Sequence, residues 1–124
     1  MDIVTTEAPA PAGHYVQARA HQGVLYISGQ LPLRADGSRD PSAPLEVQIR
    51  HALHNLLAIV RAGGSAPEHL LKITVYLVGV ANWPLFDALF AEIMGPCRPA
   101  RSVVPVPELH YGFLLELDAI AAIP

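Results

Sequence analysis

Arg101 and two carboxylates near the end of the chain are the residues best equipped for chemistry. Arg101 follows Pro99-Ala100 and precedes Ser102-Val103-Val104, so a proline-stiffened turn sets a guanidinium at the head of an apolar strand. On a surface such a group needs no partner. Buried, it needs an anion, and its planar fork suits a carboxylate bidentately. Glu116 and Asp118 stand two apart in Phe113–Ile123. With the period of a strand they share a face with Leu114, Ile120 and Ala122, opposite Phe113, Leu115, Leu117, Ala119 and Ala121. The pair is either a solvated patch on an edge strand or a functional one. In the second case a cleft at a subunit boundary buries one carboxylate and shifts its pKa toward general acid/base work. Arg101 for an acid substrate and Glu116 for a proton make one candidate site.

Two other sets of residues carry less. The single cysteine, Cys97, excludes an intramolecular disulfide and a multi-cysteine metal site; it reads as a small packed side chain in a Pro-rich turn, dispensable for chemistry. His51 and His54 lie at i and i+3, a spacing that can share a metal. No third ligand is offered nearby, and on a helical wheel both fall away from the apolar stripe, facing solvent.

The elements that must position these residues follow from hydrophobic period and turn chemistry. Val24–Ser28 reads as a strand ended by Gly29, paired as a hairpin with a strand over Tyr15–Ala20 across His21–Gly23. The loop that follows contains Asp36-Gly37. Leu45, Ile49, Ala52, Leu53, Leu56 and Val60 recur at helical spacing from Pro44 to Gly63-Gly64, with Ser42 as the expected cap. Leu70–Val78 is nearly continuous in apolar residues, the pattern of a central strand covered on both faces. Asn82 is the expected cap of a second helix with Pro84 in its first turn and Gly95 after it. Strands over Arg101–Val106 and Phe113–Ile123 complete the order β-β-α-β-α-β-β, with a further short strand expected at Ile3–Thr5. This is an α+β domain, a mixed sheet with two helices on one face. Its other face needs a partner, and a closed homo-oligomer is the simplest supply.

Composition agrees. The 124 residues suit one domain over 1–124. Charged residues make up only 15% and hydrophobic ones 52%, too little charge to coat a lone small globule when roughly 25% is usual. The net charge of −3, with no basic run, argues against a nucleic-acid partner. No apolar run reaches the roughly 20 residues of a membrane span, and no leader pattern opens the chain, so a cytoplasmic location is expected.

The motifs RPARSVVPVPEL, LLELDAIA, GHYVQARAHQGVLYISGQLP, AIVRAGGS and LLKITVYL together resemble the Rid/YjgF family, the reactive intermediate/imine deaminases, over essentially the whole chain. The resemblance implies a chorismate-mutase-like fold, a homotrimer with an inner β-barrel, and sites in the clefts between subunits. It implies that Arg101 binds a substrate carboxylate and Glu116 positions or activates water. Tyr15 then reaches in from a neighbouring subunit, and the backbone of Gly29 and Val103 completes the cradle. The implied reaction hydrolyses small 2-imino or enamino acids to 2-keto acids and ammonia with no metal or organic cofactor. Three positions depart from the common pattern: Val103 stands where many members have Cys, Asp87 where many have Asn, and His110 where a Pro often follows the Leu. Asp87 lines the expected pocket and changes its polarity; His110 adds a second ionisable side chain. These departures bear on the substrate more than on the reaction class. A non-catalytic module sensing a small carboxylate through Arg101 is the rival reading. A ribonuclease role, a label some relatives carry, is disfavoured by the negative charge and the 6% aromatic content, because single-stranded RNA is usually held in a basic, aromatic groove.

Overall fold

The computed structural model describes residues 1–124. Six strands form one sheet: β1 (Asp2–Ile3), β2 (Ala18–His21), β3 (Val24–Gln30), β4 (Leu70–Val78), β5 (Ala100–Val106) and β6 (Leu115–Ala122). Their spatial order is β1-β2-β3-β6-β4-β5, antiparallel throughout except for the parallel pair β4–β5. The last strand thus inserts between β3 and β4, where its alternation is used: Leu115, Leu117, Ala119 and Ala121 are buried and the intervening residues only partly so. The fold is α+β, as expected.

Two helices, α1 (Leu45–Ala62) and α2 (Trp83–Met94), supply the covering layer. α1 lies against β3 and β6, with α2 beside it. Ile49, Ala52, Leu53, Leu56 and Val60 are fully buried, and the buried apolar residues form one continuous cluster. Glu46 in the first turn and Arg61 in the last complement the helix dipole. The expected cap does not form: Pro44 occupies the cap position, and the Ser42 hydroxyl donates to Asp40 instead. Asn82 does stand at the start of α2, but its side-chain amide donates back to the Val78 carbonyl and caps nothing.

The hairpin turn is tighter than the sequence suggested. Gln22 and Gly23 both have positive φ (50° and 76°), the backbone of a two-residue turn whose twist matches the strands it joins. β2 begins at Ala18, so Tyr15 lies in the preceding loop; the short first strand sits at Asp2–Ile3 rather than Ile3–Thr5.

Buried amides hold the loops to this frame. Gln48 of α1 donates to the carbonyls of Pro41 and Ala43 and accepts from Leu114 N–H, and Asn55 donates to the carbonyls of Leu31 and Leu33. Gln17 does the same for the N-terminal segment. Its oxygen accepts from Thr5 N–H at 2.8 Å, and its nitrogen donates to the carbonyls of Thr5 and Pro9 at 3.0 and 2.9 Å.

The sheet face away from the helices carries Tyr26, Thr74, Tyr76, Val104, Glu116, Asp118 and Ile120. Tyr26 and Val104 are exposed and the others half-buried, so β4 is covered on one face in the single chain. The helix-side residues Ile73, Val75 and Leu77 are buried, whereas Thr74 and Tyr76 are not.

Candidate active site

Glu116 projects from β6 into a cleft of about 430 Å³ lined by Tyr15, Gln17, Ser28, Gly29, His110 and Tyr111 among others. The approach of β3 decides its position. A β-carbon built on Gly29 would lie 2.2 Å from Glu116 Oε1, far inside contact distance, so glycine leaves the space the carboxylate occupies. Burial raises the Glu116 pKa above the ordinary carboxylate range; the charge of His110 works against that rise, and Asp118 adds to it. Asp118, two residues on, is also raised, again first by burial and in opposition to hydrogen bonds from Tyr76 and Thr74. The Tyr76 hydroxyl lies 3.5 Å from Asp118 Oδ2. The Tyr15 hydroxyl accepts from Ala12 N–H at 3.1 Å, which fixes the ring at the rim of the cleft.

Arg101 stands elsewhere. It is the second residue of edge strand β5, on the helix side, and its Nη1 lies 2.9 Å from Asp87 Oδ1 of α2. Its guanidinium carbon is 5.0 Å from the Phe90 ring centroid and 5.6 Å from that of Phe86. Four-fifths of the side chain is buried. Arg101 and Asp87 line a second cleft, of about 470 Å³, with Phe90, Met94, Cys97 and Arg98. Val103 is half-buried, packs against the core and lines neither cleft with its side chain. Cys97 is also half-buried beside the core. His54 is exposed and His51 half-buried on α1.

The structure therefore groups Tyr15, Gly29 and Glu116 in one place and Arg101 and Asp87 in another. Register states their relation. Arg101 lies opposite Ile73 of β4, and Glu116 lies opposite Tyr76. Three residues apart on one strand means opposite faces of the sheet. Three residues along and two strands across put the two α-carbons about 14 Å apart. One small ligand cannot touch both side chains of one chain. Gln17, Ser28 and Tyr111 also line the Glu116 cleft without having been singled out from the sequence. Only Tyr111, held at φ 63° where a bulky residue is uncommon, is locally unusual, and its conformation is not visible in a pattern of residue types.

The profile of one family, endoribonuclease L-PSP, matches residues 5–123. The chain belongs to this family, the Rid/YjgF family. Among L-PSP relatives, a RutC family protein of Pyrococcus horikoshii is 34% identical over 96% of this chain and 94% of its own. A 2-iminobutanoate/2-iminopropanoate deaminase of Dermatophagoides farinae is 28% identical over 98% of this chain and 94% of its own. Among solved L-PSP structures, that of TdcF from E. coli with bound serine superimposes with a TM-score of 0.92 at 29% identity, covering 98% of each chain. No helix of the chain is long and apolar enough to cross a membrane.

Proposed function

We propose that this protein hydrolyses the C=N bond of small 2-imino or enamino acids, of the 2-iminopropanoate and 2-iminobutanoate type, releasing a 2-keto compound and ammonia. The observation that carries this reading is Glu116, a half-buried carboxylate with a raised pKa seated in the space that Gly29 leaves. A carboxylate whose pKa burial has raised is suited to take a proton and return it. Ionised Glu116 takes one proton from water as the water oxygen bonds to C2 of the protonated imine, giving a carbinolamine. The acid form of Glu116 then protonates the amino nitrogen, the C–N bond breaks, and the hydroxyl proton passes by way of the Glu116 carboxylate to the departing ammonia as the carbonyl forms. His110 and Tyr15 line the same cleft, and their polar ends are the groups that order the water and the imine nitrogen. An enamine first takes a proton on carbon and then follows the same course. The chemistry calls on no metal or organic cofactor, and the deaminase among the relatives supports the reaction class.

The opposite-face placement of Arg101 and Glu116 supports a homotrimeric assembly. A substrate gripped by Arg101 of one copy meets the Glu116, Tyr15 and Gly29 of the next, while the open sheet face is covered by the neighbours. A small-molecule substrate, with neither nucleic acid nor membrane as partner, fits the net charge of −3. Two measurements test this. Sedimentation at micromolar concentration is expected to give three times the 13.3 kDa chain mass; a monomer would leave each site half built. Ammonia release from freshly generated 2-iminobutanoate is expected to be accelerated by wild type and not by Glu116→Ala. Equal release with and without protein favours a binding module that uses Arg101 alone.

A further inference from the structure

The group that faces Arg101 is not neutral. Asp87 Oδ1 sits 2.9 Å from Arg101 Nη1, so the guanidinium already has an anion within its own chain. Both side chains line the same cleft, which places two different polar edges side by side: the remaining guanidinium N–H donors of Arg101 and the second carboxylate oxygen of Asp87, an acceptor. A carboxylate ligand offers only acceptors. It satisfies Arg101 but sets its second oxygen against Asp87, like charge to like charge. A primary amide offers an acceptor and a donor on one planar group: its carbonyl accepts from Arg101, and its NH₂ donates to Asp87.

We propose that Asp87 determines ligand class here, and that the Arg101–Asp87 pair reads a primary amide in place of a carboxylate. Taken with the deaminase reading, on which this step rests, the imine turned over fastest is a 2-imino amide. Phe86 and Phe90 pack against the guanidinium, their ring centroids 5.6 and 5.0 Å from its central carbon, and with Asp87 they restrain the donor edge. Arg98, the other cation of the cleft, is exposed, and water and salt screen its charge. An asparagine at position 87 has the opposite preference. Its oxygen accepts from Arg101 and its NH₂ points a second donor outward, which makes a donor–donor edge suited to a carboxylate.

The test is calorimetric binding of two stable ketone analogues, pyruvate and pyruvamide, to the intact oligomer of wild type, Asp87→Asn and Arg101→Ala. Wild type is expected to bind pyruvamide about tenfold or more tighter than pyruvate, the discrimination that one misplaced charge at a part-exposed site supports. Asp87→Asn is expected to reverse the order, and Arg101→Ala to weaken both ligands. Circular dichroism on each variant establishes that it is folded. Wild type preferring pyruvate, an order unchanged in Asp87→Asn, or no binding of either ligand to any variant overturns the inference. Ammonia release from freshly generated 2-iminopropanoate and 2-iminopropanamide separates the two claims. If the preference switches with residue 87 but neither imine is hydrolysed faster by protein, the amide-reading pair stands and the deaminase reading falls. If hydrolysis is fast but the preference does not follow residue 87, the reverse holds.

Discussion

Gly29→Ala is the sharpest probe of the site, because it adds one methyl group and touches almost nothing else. The added carbon would meet Glu116 Oε1 at 2.2 Å and Cδ at 3.1 Å, and its three nearest neighbours, out to 3.5 Å, all belong to that one side chain. An ordinary contact needs roughly 1 Å more than the first of these distances. The carboxylate is the end of a flexible side chain, so it swings away and the strand stays where it is. Gly29 does not have positive φ, so alanine brings no backbone strain and stiffens the unfolded chain, a gain of about 0.4–1 kcal/mol. Catalysis has no such latitude. A misplacement of about 1 Å can cost on the order of a hundredfold, or ~2.7 kcal/mol of barrier. The expected result is an unchanged or slightly raised Tm with kcat/KM lowered about a hundredfold for the imine that wild type hydrolyses. The acidic limb of the pH profile should move as well. Burial is the main cause of the raised Glu116 pKa, so a carboxylate pushed toward water titrates lower, and the limb shifts to lower pH. A variant with kcat/KM within threefold of wild type and an unmoved limb would refute the assignment of Glu116.

Three further outcomes are expected. Glu116→Gln should abolish turnover yet raise Tm at neutral pH. A carboxyl whose folded pKa is raised binds more protons folded than unfolded, so stability falls as pH climbs from the unfolded value of about 4.5 through the folded one; the Tm advantage of the glutamine variant should vanish below that window, and an advantage constant from pH 4 to 8 would contradict this origin. Arg101→Ala should lower kcat/KM by roughly 30-fold to several thousandfold, the typical 2–5 kcal/mol for removing one member of a hydrogen-bonded charge pair, and Arg101→Lys should not restore it, because a point charge lacks the fork; activity within a few-fold of wild type in Arg101→Ala would remove the clamp from the mechanism. Cys97→Ser should keep nearly full turnover, since Cys97 packs against the core at the wall of the Arg101 cleft and serine nearly keeps its size there, and a folded but inactive variant would count against that.

The helices and the final strand were legible because local periodicity determines them. Leu45 to Val60 recur at helical spacing and are buried or nearly so, and the alternation of Leu115–Ala122 is reproduced residue by residue. The relation between Arg101 and Glu116 was not legible. Each residue's face follows from its own strand, but which face of the whole sheet that becomes depends on how β4 registers with β5 and β6, contacts between segments far apart in sequence. The Asp87 departure was visible, whereas its pairing with Arg101 needed α2 placed against β5. Ser42 misled as a cap because its hydroxyl found Asp40 two residues back, a local competition that a capping rule does not weigh.

The Gln17 amide gives the cleft a mechanical property. Residues 9–13 form much of the wall around Tyr15 and Glu116, and Gln17 reaches back to Thr5 and Pro9 in the segment leading into that wall. Such a segment can open as its own cooperative unit while the sheet and helices stay closed. Glutamate at this position would keep the oxygen that Thr5 uses and lose the donor to the carbonyls of Thr5, Ala8 and Pro9. Amide hydrogens of the N-terminal segment would then exchange sooner than those of β3 and β6, and the water around Glu116 would be less well confined. The environment that raises the Glu116 carboxyl is thus secured, far along the chain from it, by one uncharged side chain.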